Sequence, residues 1–297
     1  MNYLITGSLG NISLPVTKSL IAAGHTVTVI SSNADKKEKI ETLGAKAAIG
    51  SATDLEFLKG VFKGKDIAYL MIPSDFSIQD YGAFQIKVAD KYAEAVKTAG
   101  IEKVVLLSSI GAHLRKGAGP IDALGYLEAK LSEIPGLHLK ILRPSYFFNN
   151  LYSQIGLIKQ AGIAGSNFGN TEEKLVLVDT DDIVSVAAEQ LKTPFTDGQT
   201  ITYISSDERK PGEIAAILGA AIGKNELPWI NFSDEDAYTG MVQAGLNQSF
   251  AALYRDMGQS IRNGKMQEDY WKSANVVKGT FRLEDFANRF AAAYAEK

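Results

Sequence analysis

Residues 2–13 read NYLITGSLGNIS, and this stretch decides the fold because an apolar run passes directly into a glycine loop. Residues 2–6 have the composition of a buried strand, and residues 11–24 have the apolar spacing of a helix. Gly7 permits a sharp strand-to-helix turn, and Gly10 lets backbone N–H groups approach a ligand closely. A strand, a glycine loop and a helix in this order predict a pyrophosphate-binding turn at the helix N-terminus.

The first half of the chain continues to alternate short apolar runs with longer amphipathic segments. We predict strands at residues 2–6, 26–31, 45–50, 66–72, 103–109 and 137–143. We predict helices at residues 11–24, 35–43, 53–60, 81–100 and 121–134. This alternation is typical of right-handed βαβ units and of a parallel sheet that is covered on both faces. The predicted fold class is therefore α/β, of Rossmann type, with a doubly wound parallel sheet.

In the second half of the chain, apolar runs and amphipathic segments alternate less regularly. This half predicts a smaller, mainly helical subdomain over the carboxyl edge of the sheet. Strands are predicted at residues 175–178 and 200–205, and helices at 179–192, 211–223, 233–263 (two helices) and 282–297. Thr180 or Asp181 is the expected N-cap of the first of these helices. We therefore divide the chain into a Rossmann domain, residues 1–150, and a substrate or cap region, residues 151–297, of which residues 175–192 return to the Rossmann sheet.

Composition and charge argue against several classes of function. The formal net charge is −3 and the chain has no long basic run, so we expect no nucleic-acid partner. There is no cysteine to form a disulfide or a thiolate metal site, and His25, His113 and His138 are far apart in the sequence. No apolar run is long enough to span a bilayer, and the first residues lack a signal-peptide pattern. We therefore expect a cytoplasmic protein that acts on a small molecule, without a metal site.

The end of the second strand indicates which dinucleotide the loop binds. A carboxylate at this position selects NAD by binding the ribose 2′-OH, but residues 29–33 read VISSN and the next carboxylate is Asp35. Serine and asparagine can donate hydrogen bonds to a 2′-phosphate, and Lys36 and Lys37 follow closely. NADP(H) is therefore favoured over NAD(H), and solvated helix-surface charges are the alternative interpretation of the two lysines.

The residues expected to contact the dinucleotide lie at the carboxyl ends of the first, second, fourth and fifth strands. Ligands of open α/β sheets bind at this edge. The predicted contacts are Gly7, Ser8, Gly10, Asn11, Ile12, Ser31, Ser32, Asn33, Met71, Ile72, Pro73, Ser108 and Ser109.

Four segments together resemble the NmrA-like group of atypical short-chain dehydrogenases/reductases. They are TGSLGNIS at residues 6–13, LSSIGA at 107–112, LRPSYFFNN at 142–150 and KGTFRLEDF at 278–286. The resemblance implies an extended Rossmann fold, NADP(H) binding, and either a reductase of quinones or related small acceptors or a redox-sensing regulator. The chain departs from the group at Ser13, where glycine is usual, at Ser31 and Ser32, where arginine is frequent, and at Ser51, where aspartate is usual.

Tyr126 and Lys130 have the Tyr-x-x-x-Lys spacing of classical short-chain dehydrogenases, which places both side chains on one helical face. In those enzymes the phenol donates a proton, the lysine lowers its pKa, and a serine, here Ser108 or Ser109, polarises the carbonyl. This pair is our candidate catalytic dyad. An amphipathic helix with an exposed lysine is the alternative interpretation, and Glu128 is similar to a glutamate common in the atypical group.

Three adjacent aromatic residues follow the sixth strand and suit the wall of an apolar pocket. We expect Tyr146 and Phe147 to contact a flat acceptor beside the nicotinamide, because three consecutive rings cannot all face the core. Asn149 is expected to orient this acceptor or, alternatively, to cap the next helix.

These features favour an NADP(H)-dependent reductase that transfers hydride to a small flat carbonyl or quinone acceptor. The alternative is a non-catalytic NAD(P)-binding redox sensor that acts through a protein partner. A third hypothesis, sugar-nucleotide epimerisation, requires a working dyad of Tyr126 and Lys130.

Overall fold

The computed structural model describes residues 1–169 and 173–296, and the strands and helices below lie within these ranges. The strands are β1 (Asn2–Ile5), β2 (Thr26–Ser31), β3 (Lys46–Ile49), β4 (Ile67–Leu70), β5 (Lys103–Leu107), β6 (His138–Pro144), β7 (Tyr146–Phe147), β8 (Ala164–Ser166), β9 (Leu175–Val178), β10 (Gln199–Ser205), β11 (Asp207–Arg209), β12 (Trp229–Asn231) and β13 (Val276–Lys278). The helices are α1 (Ser13–Ala22), α2 (Lys37–Thr42), α3 (Leu55–Phe62), α4 (Tyr81–Ala99), α5 (Asp122–Ser132), α6 (Gln154–Ala161), α7 (Thr180–Lys192), α8 (Pro211–Ala221), α9 (Asp234–Gln243), α10 (Gln248–Arg262), α11 (Glu268–Lys272) and α12 (Leu283–Glu296).

The main sheet has eight strands in the order β13-β10-β6-β5-β4-β1-β2-β3. All neighbouring pairs in it are parallel. The chain runs outward from β1 to β3 and then crosses back to β4 on the other side of β1. The strand order therefore reverses between β1 and β4, and the carboxyl ends of these two strands form the crevice in which ligands of such sheets bind.

Helices cover both faces of this sheet, because its strands are apolar on both sides. One face packs against α3, α4 and α5 through side chains such as Phe62 and Leu127. The other face packs against α1, α2 and α7 through side chains such as Leu20 and Ile183. The predicted α/β fold with a doubly wound parallel sheet is thus confirmed.

The second half of the chain builds its own core at the edge of the sheet. Phe148, after β7, belongs to one core cluster with Leu218 of α8, Met257 of α10 and Phe286 of α12. Two small sheets accompany these helices, one in the order β11-β9-β7 and one that pairs β12 with β8. Within the described ranges, no helix is both long and apolar enough to cross a membrane.

The strands predicted in the first half of the chain are all present, with ends within two residues of the prediction. Within residues 175–192, α7 packs on the main sheet, and β9 pairs with β7 and β11. The position beside β6 is occupied by β10, which pairs along its length with β6. The N-cap of α7 is Asp179, whose side chain accepts a hydrogen bond from Asp181 N. The domain division at residue 150 stays a prediction.

Candidate active site

The glycine loop between β1 and α1 has a backbone that only glycine fits at its first position. Gly7 has a φ of +84°, and Gly10 N donates a hydrogen bond to Gly7 O at 3.1 Å. A Cβ atom at Gly7 would lie 2.3 Å from Met71 Sδ and 2.5 Å from Ser13 Oγ. Such contacts are far inside van der Waals distance, so the tight turn requires a residue without a side chain.

Ser13, which stands where the family usually has glycine, is fully buried beneath the loop. Its hydroxyl donates a hydrogen bond to Thr6 O at 2.8 Å and lies 3.4 Å from Met71 Sδ. The Ser13 side chain therefore links the start of α1 to the end of β1, and the turn keeps its shape although the residue is not glycine.

The N-terminus of α1 lies at the crevice with its first backbone N–H groups beyond the reach of the helix's own carbonyls. Among the described residues, no side chain caps this end, and no acidic residue occupies the first turn. Ile12 is the N-cap position, and Asn11 beside it is exposed. The positive end of the helix dipole therefore faces the crevice, as a pyrophosphate-binding turn requires.

The carboxyl end of β2 holds the loop through Ser31, which is 2% exposed. The Ser31 hydroxyl accepts hydrogen bonds from Ser8 Oγ at 2.9 Å and from Asn33 N at 3.2 Å, and it donates to Asn33 O at 3.3 Å. These bonds engage the hydroxyl inside the protein and let Ser31 position the loop, and its contact with a 2′-phosphate stays a prediction. Ser32 and Asn33 are exposed at the tip and Lys36 is half-buried nearby.

The carboxyl end of β4 is joined to that of β1 across the crevice. Met71 N donates a hydrogen bond to Thr6 Oγ1 at 2.8 Å. The Met71 side chain lies under Gly7 and packs with the α1 face of the sheet, whereas Ile72 packs with the α4 face. Met71, Ile72 and Pro73 thus follow β4 at the strand reversal, and their contact with a dinucleotide stays a prediction.

The carboxyl end of β5 carries a buried polar network. Ser108 Oγ donates a hydrogen bond to Glu128 Oε1 at 2.5 Å, and Arg143 binds the same carboxylate through Nε at 3.0 Å and Nη2 at 2.6 Å. Arg143 Nη1 donates to Tyr203 OH at 2.7 Å and to Asp269 Oδ2 at 3.0 Å. Burial lowers the pKa of Arg143, but the hydrogen bonds and charge of Glu128 outweigh it and keep that pKa above its usual value. The network joins β5, α5, β6, β10 and α11.

The predicted dyad faces a different part of the protein. Tyr126 OH donates a hydrogen bond to Asp90 Oδ1 of α4 at 2.8 Å, and Lys130 Nζ lies 3.5 Å from the same oxygen. Glu128, which contacts Ser108, is two residues from Tyr126 and therefore about 200° around the helix. On α5, Tyr126 and Lys130 thus contact Asp90 of α4, whereas Glu128 contacts Ser108 at the strand end. The catalytic dyad stays a prediction.

The three aromatic residues after β6 diverge. Tyr146 is buried, and its hydroxyl lies 2.9 Å from that of Tyr254 in α10. Phe147 is half-buried and packs with the cluster that contains Met71, while Phe148 is a core residue. The three consecutive rings thus enter two clusters, Tyr146 and Phe148 the core of the second half and Phe147 the cluster that contains Met71. Asn149 is half-buried in the turn that follows.

Sequence reasoning missed the contributions of Arg143, Asp269 and Tyr254 to this region. A signal existed for Arg143, since a charged residue in an apolar strand requires a buried partner. His113, after β5, has both ring nitrogens buried without a hydrogen-bond partner among the described residues. Burial lowers the pKa of His113, and the charge of Arg143 lowers it further while Asp269 opposes both.

The family model described as NAD(P)H-binding matches residues 7–194. This chain therefore belongs to the NAD(P)H-binding family, and the resemblance found in the sequence is confirmed. Of the curated relatives, the NAD(P)H azoreductase of Xenophilus azovorans is 25% identical over 254 residues, which are 86% of this chain and 85% of that protein.

Two solved structures have the same fold. The NADPH-dependent quinone oxidoreductase of Escherichia coli, complexed with NADPH, matches 97% of this chain and 99% of its own with a TM-score of 0.80 and 19% identity. The triphenylmethane reductase of Citrobacter sp., complexed with NADP(H), matches 98% of this chain and 100% of its own with a TM-score of 0.78 and 17% identity.

Proposed function

We propose that this protein is an NADPH-dependent reductase that transfers hydride to a small, flat carbonyl or quinone acceptor. The observation that carries the proposal is the cradle at the strand reversal, where Met71 and Ser13 fill the space of a Gly7 side chain. This cradle, together with the uncapped start of α1, fits a dinucleotide pyrophosphate. The bound nicotinamide supplies the hydride.

The preference for NADPH rests on the end of β2. Ser32 and Asn33 are exposed beside the crevice, and Lys36 adds a positive charge within the next turn of chain. Asp35 stands beyond the tip, and its backbone N–H donates a hydrogen bond to the Asn33 side chain at 2.8 Å. Ser32 and Asn33 can therefore donate hydrogen bonds to a 2′-phosphate, and Lys36 can pair with its charge. NADPH is favoured over NADH for this reason.

On the acceptor side, the half-buried ring of Phe147 provides apolar surface after β6, whereas the ring of Tyr146 is packed behind it against Phe168. Flat acceptors stack favourably on aromatic rings, and an apolar wall keeps water from the reacting atoms. A quinone that accepts hydride becomes a hydroquinone anion, a strong enough base to take its proton from water. Such a reaction needs no tyrosine dyad, which agrees with the contact of Tyr126 with Asp90.

A redox sensor is the second candidate function, and the same contacts favour it. Ser108 is bound to Glu128, and Tyr126 is bound to Asp90, so the acid–base groups that the sequence offered are engaged elsewhere. A sensor would bind the dinucleotide without turnover and report its oxidation state to a protein partner.

The loss of NADPH absorbance, followed with a panel of acceptors, tests the proposal. The panel contains single-ring and fused-ring quinones, azo and triphenylmethane dyes, and simple ketones. We expect turnover with at least one quinone, and we expect Tyr126→Phe to retain that activity because Tyr126 contacts α4. NADPH binding without turnover on the whole panel would refute the reductase and favour the sensor. Full dependence on Tyr126 would restore the dyad and the epimerase hypothesis.

A further inference from the structure

The connection between β4 and α4 leaves the sheet at the strand reversal and reaches the cap region. Residues 74–80 of this connection, which we call the strap, follow Pro73 at the crevice. All strap residues except the half-buried Ile78 are exposed. Ligands of such sheets bind at the strand reversal, so the strap begins beside the place that a bound dinucleotide occupies.

One side chain fastens the strap to the cap region by hydrogen bonds. Asn247, the N-cap of α10, donates a hydrogen bond from its amide nitrogen to Ile78 O in the strap. Its amide oxygen accepts a hydrogen bond from Phe250 N at 3.1 Å and so caps the helix. Asparagine makes both bonds at once because its donor and its acceptor are separate atoms. An ionised aspartate caps a helix as well as asparagine does, but it has no donor for the strap.

The second contact between the strap and α10 is apolar. The ring centroid of Phe76 in the strap lies 4.5 Å from that of Phe250. Phe250 is 8% exposed, whereas Phe76 is 54% exposed and therefore rests on the surface of α10. Because more than half of Phe76 stays in solvent, the burial of this ring holds the strap only weakly.

In the described part of the chain, the other hydrogen bonds of the strap are internal or lead into α4. Asp75 Oδ1 accepts a hydrogen bond from Ser77 N at 3.1 Å. Asp80 Oδ1 accepts one from Ala83 N at 3.0 Å and caps α4. The strap is thus a turn that keeps its own shape, while its position against the cap region depends on Asn247 and Phe76.

The helix that holds the strap is itself firmly packed. The backbone of α10 lies so close to Gly119 that a Cβ atom there would be 2.0 Å from Leu253 O. Met257 and Ile261 of the same helix are 4% and 5% exposed in the core of the second half. Local opening of a protein begins where buried contacts are few. The strap therefore moves away from α10 more easily than α10 leaves the cap region.

We propose that the strap opens for exchange of the dinucleotide, and that Asn247 is the positioning residue that keeps it closed. The inference rests on the proposed function, because it requires a nicotinamide dinucleotide in the crevice. The bond from Asn247 to Ile78 keeps the strap beside the end of β4 and slows release of the cofactor. Loss of this bond frees the strap and leaves the glycine loop as it is.

Asn247→Asp tests this role, because it keeps the cap of α10 and removes the donor to Ile78. We expect NADPH to dissociate about fivefold faster, the scale of one hydrogen bond. Stopped-flow displacement, followed by the fluorescence of NADPH, measures this rate. Urea unfolding should match that of the parent protein, because aspartate and asparagine cap helices about equally. A residue with a merely structural role would change the unfolding and leave the dissociation rate as it was.

Gln248→Glu is the matched control, because it adds the same charge at the next position of α10, which is exposed. It should leave the dissociation rate of NADPH unchanged. Hydrogen exchange of the strap amides, followed by mass spectrometry, gives a second measurement. Exchange should be faster in Asn247→Asp than in the parent protein or in Gln248→Glu. Equally fast release of NADPH in Gln248→Glu would overturn the inference, because charge repulsion would then explain the effect.

The outcomes separate this inference from the proposed function. A parent protein that binds no NADPH would overturn the proposed function and, with it, the role of the strap in release. NADPH binding with an unchanged dissociation rate in Asn247→Asp would overturn the strap alone, and so would faster exchange of the strap without faster release. Faster release together with faster exchange would support the strap, whether the parent protein acts as a reductase or as a sensor.

Discussion

The cofactor side and the acceptor side of the proposed site are built from the chain in different ways. On the cofactor side, Ser13 contacts Thr6 and Ser8 contacts Ser31, so partners are close in sequence or lie on neighbouring strands. On the acceptor side, Tyr146 meets Tyr254 across 108 residues. Short-range contacts are specified by local motifs, whereas the acceptor side depends on where α10 packs. The contacts of the cofactor side can therefore be predicted from the sequence, whereas those of the acceptor side are recognised only in the structure.

The largest expected effect concerns the buried polar network at the carboxyl end of β5, which lies between strands of the main sheet and α5. Arg143→Met leaves the Glu128 carboxylate buried without its cation, and we expect the free energy of unfolding to fall by about 3–5 kcal/mol. Both side chains of this pair are less than one-tenth exposed. Urea unfolding measures the change.

Lys59→Met is the control for this network, because the side chains of Lys59 and Glu56 are 30% and 83% exposed. Its cost should be about 0.5 kcal/mol or less. Equal losses in the two variants would show that the buried Glu128–Arg143 pair is no more important for stability than an exposed ion pair.

The next largest effect is a loss of NADPH affinity at the cofactor side. Gly7→Ala places a Cβ against Met71 and Ser13 at a positive φ, so we expect NADPH affinity to fall roughly 100-fold or more. Protein fluorescence during NADPH titration measures the affinity.

Gly60→Ala provides the matched control within α3, where no atom lies within 4 Å of the added Cβ. Helix propensity predicts that this variant gains about 0.5–1 kcal/mol of stability and retains normal affinity. Retained NADPH binding in Gly7→Ala would contradict the proposed cradle.

A smaller effect tests the selection of the 2′-phosphate. Lys36→Ala removes a half-buried cation after β2, and we expect NADPH affinity to fall about tenfold while NADH affinity is unchanged. The exposed Lys39 in α2 is the control, and Lys39→Ala should leave both affinities as they are. Equal losses of NADPH and NADH affinity in Lys36→Ala would mean that Lys36 does not bind the 2′-phosphate.

The smallest effect is a pH dependence near the polar network. Burial lowers the pKa of His113, so between its folded pKa and about 6.5 the unfolded chain binds more protons than the folded one. Stability should therefore fall as pH falls below about 6.5. Unfolding of His113→Leu across this range should show a flatter pH dependence than the parent protein. An unchanged slope would remove His113 as the cause.

The sequence predicted the elements of the Rossmann half because buried parallel strands and amphipathic helices have distinct periodicities. It did not predict the side of α5 that faces the site. That helix packs against α4 through Tyr126 and against the strand end through Glu128, and periodicity does not tell one buried side from another. The pairing of β9 with β7 and of β10 with β6 likewise joins strands that are distant in sequence, and local periodicity does not specify such partners.

The central claim is that the glycine loop holds a nicotinamide dinucleotide, and a calorimetric titration of the dialysed protein tests it most directly. NADPH, NADP⁺, NADH and NAD⁺ are titrated in parallel. The proposed site predicts clear heats of binding, with NADPH bound more tightly than NADH. The absence of binding by all four dinucleotides would contradict the claim.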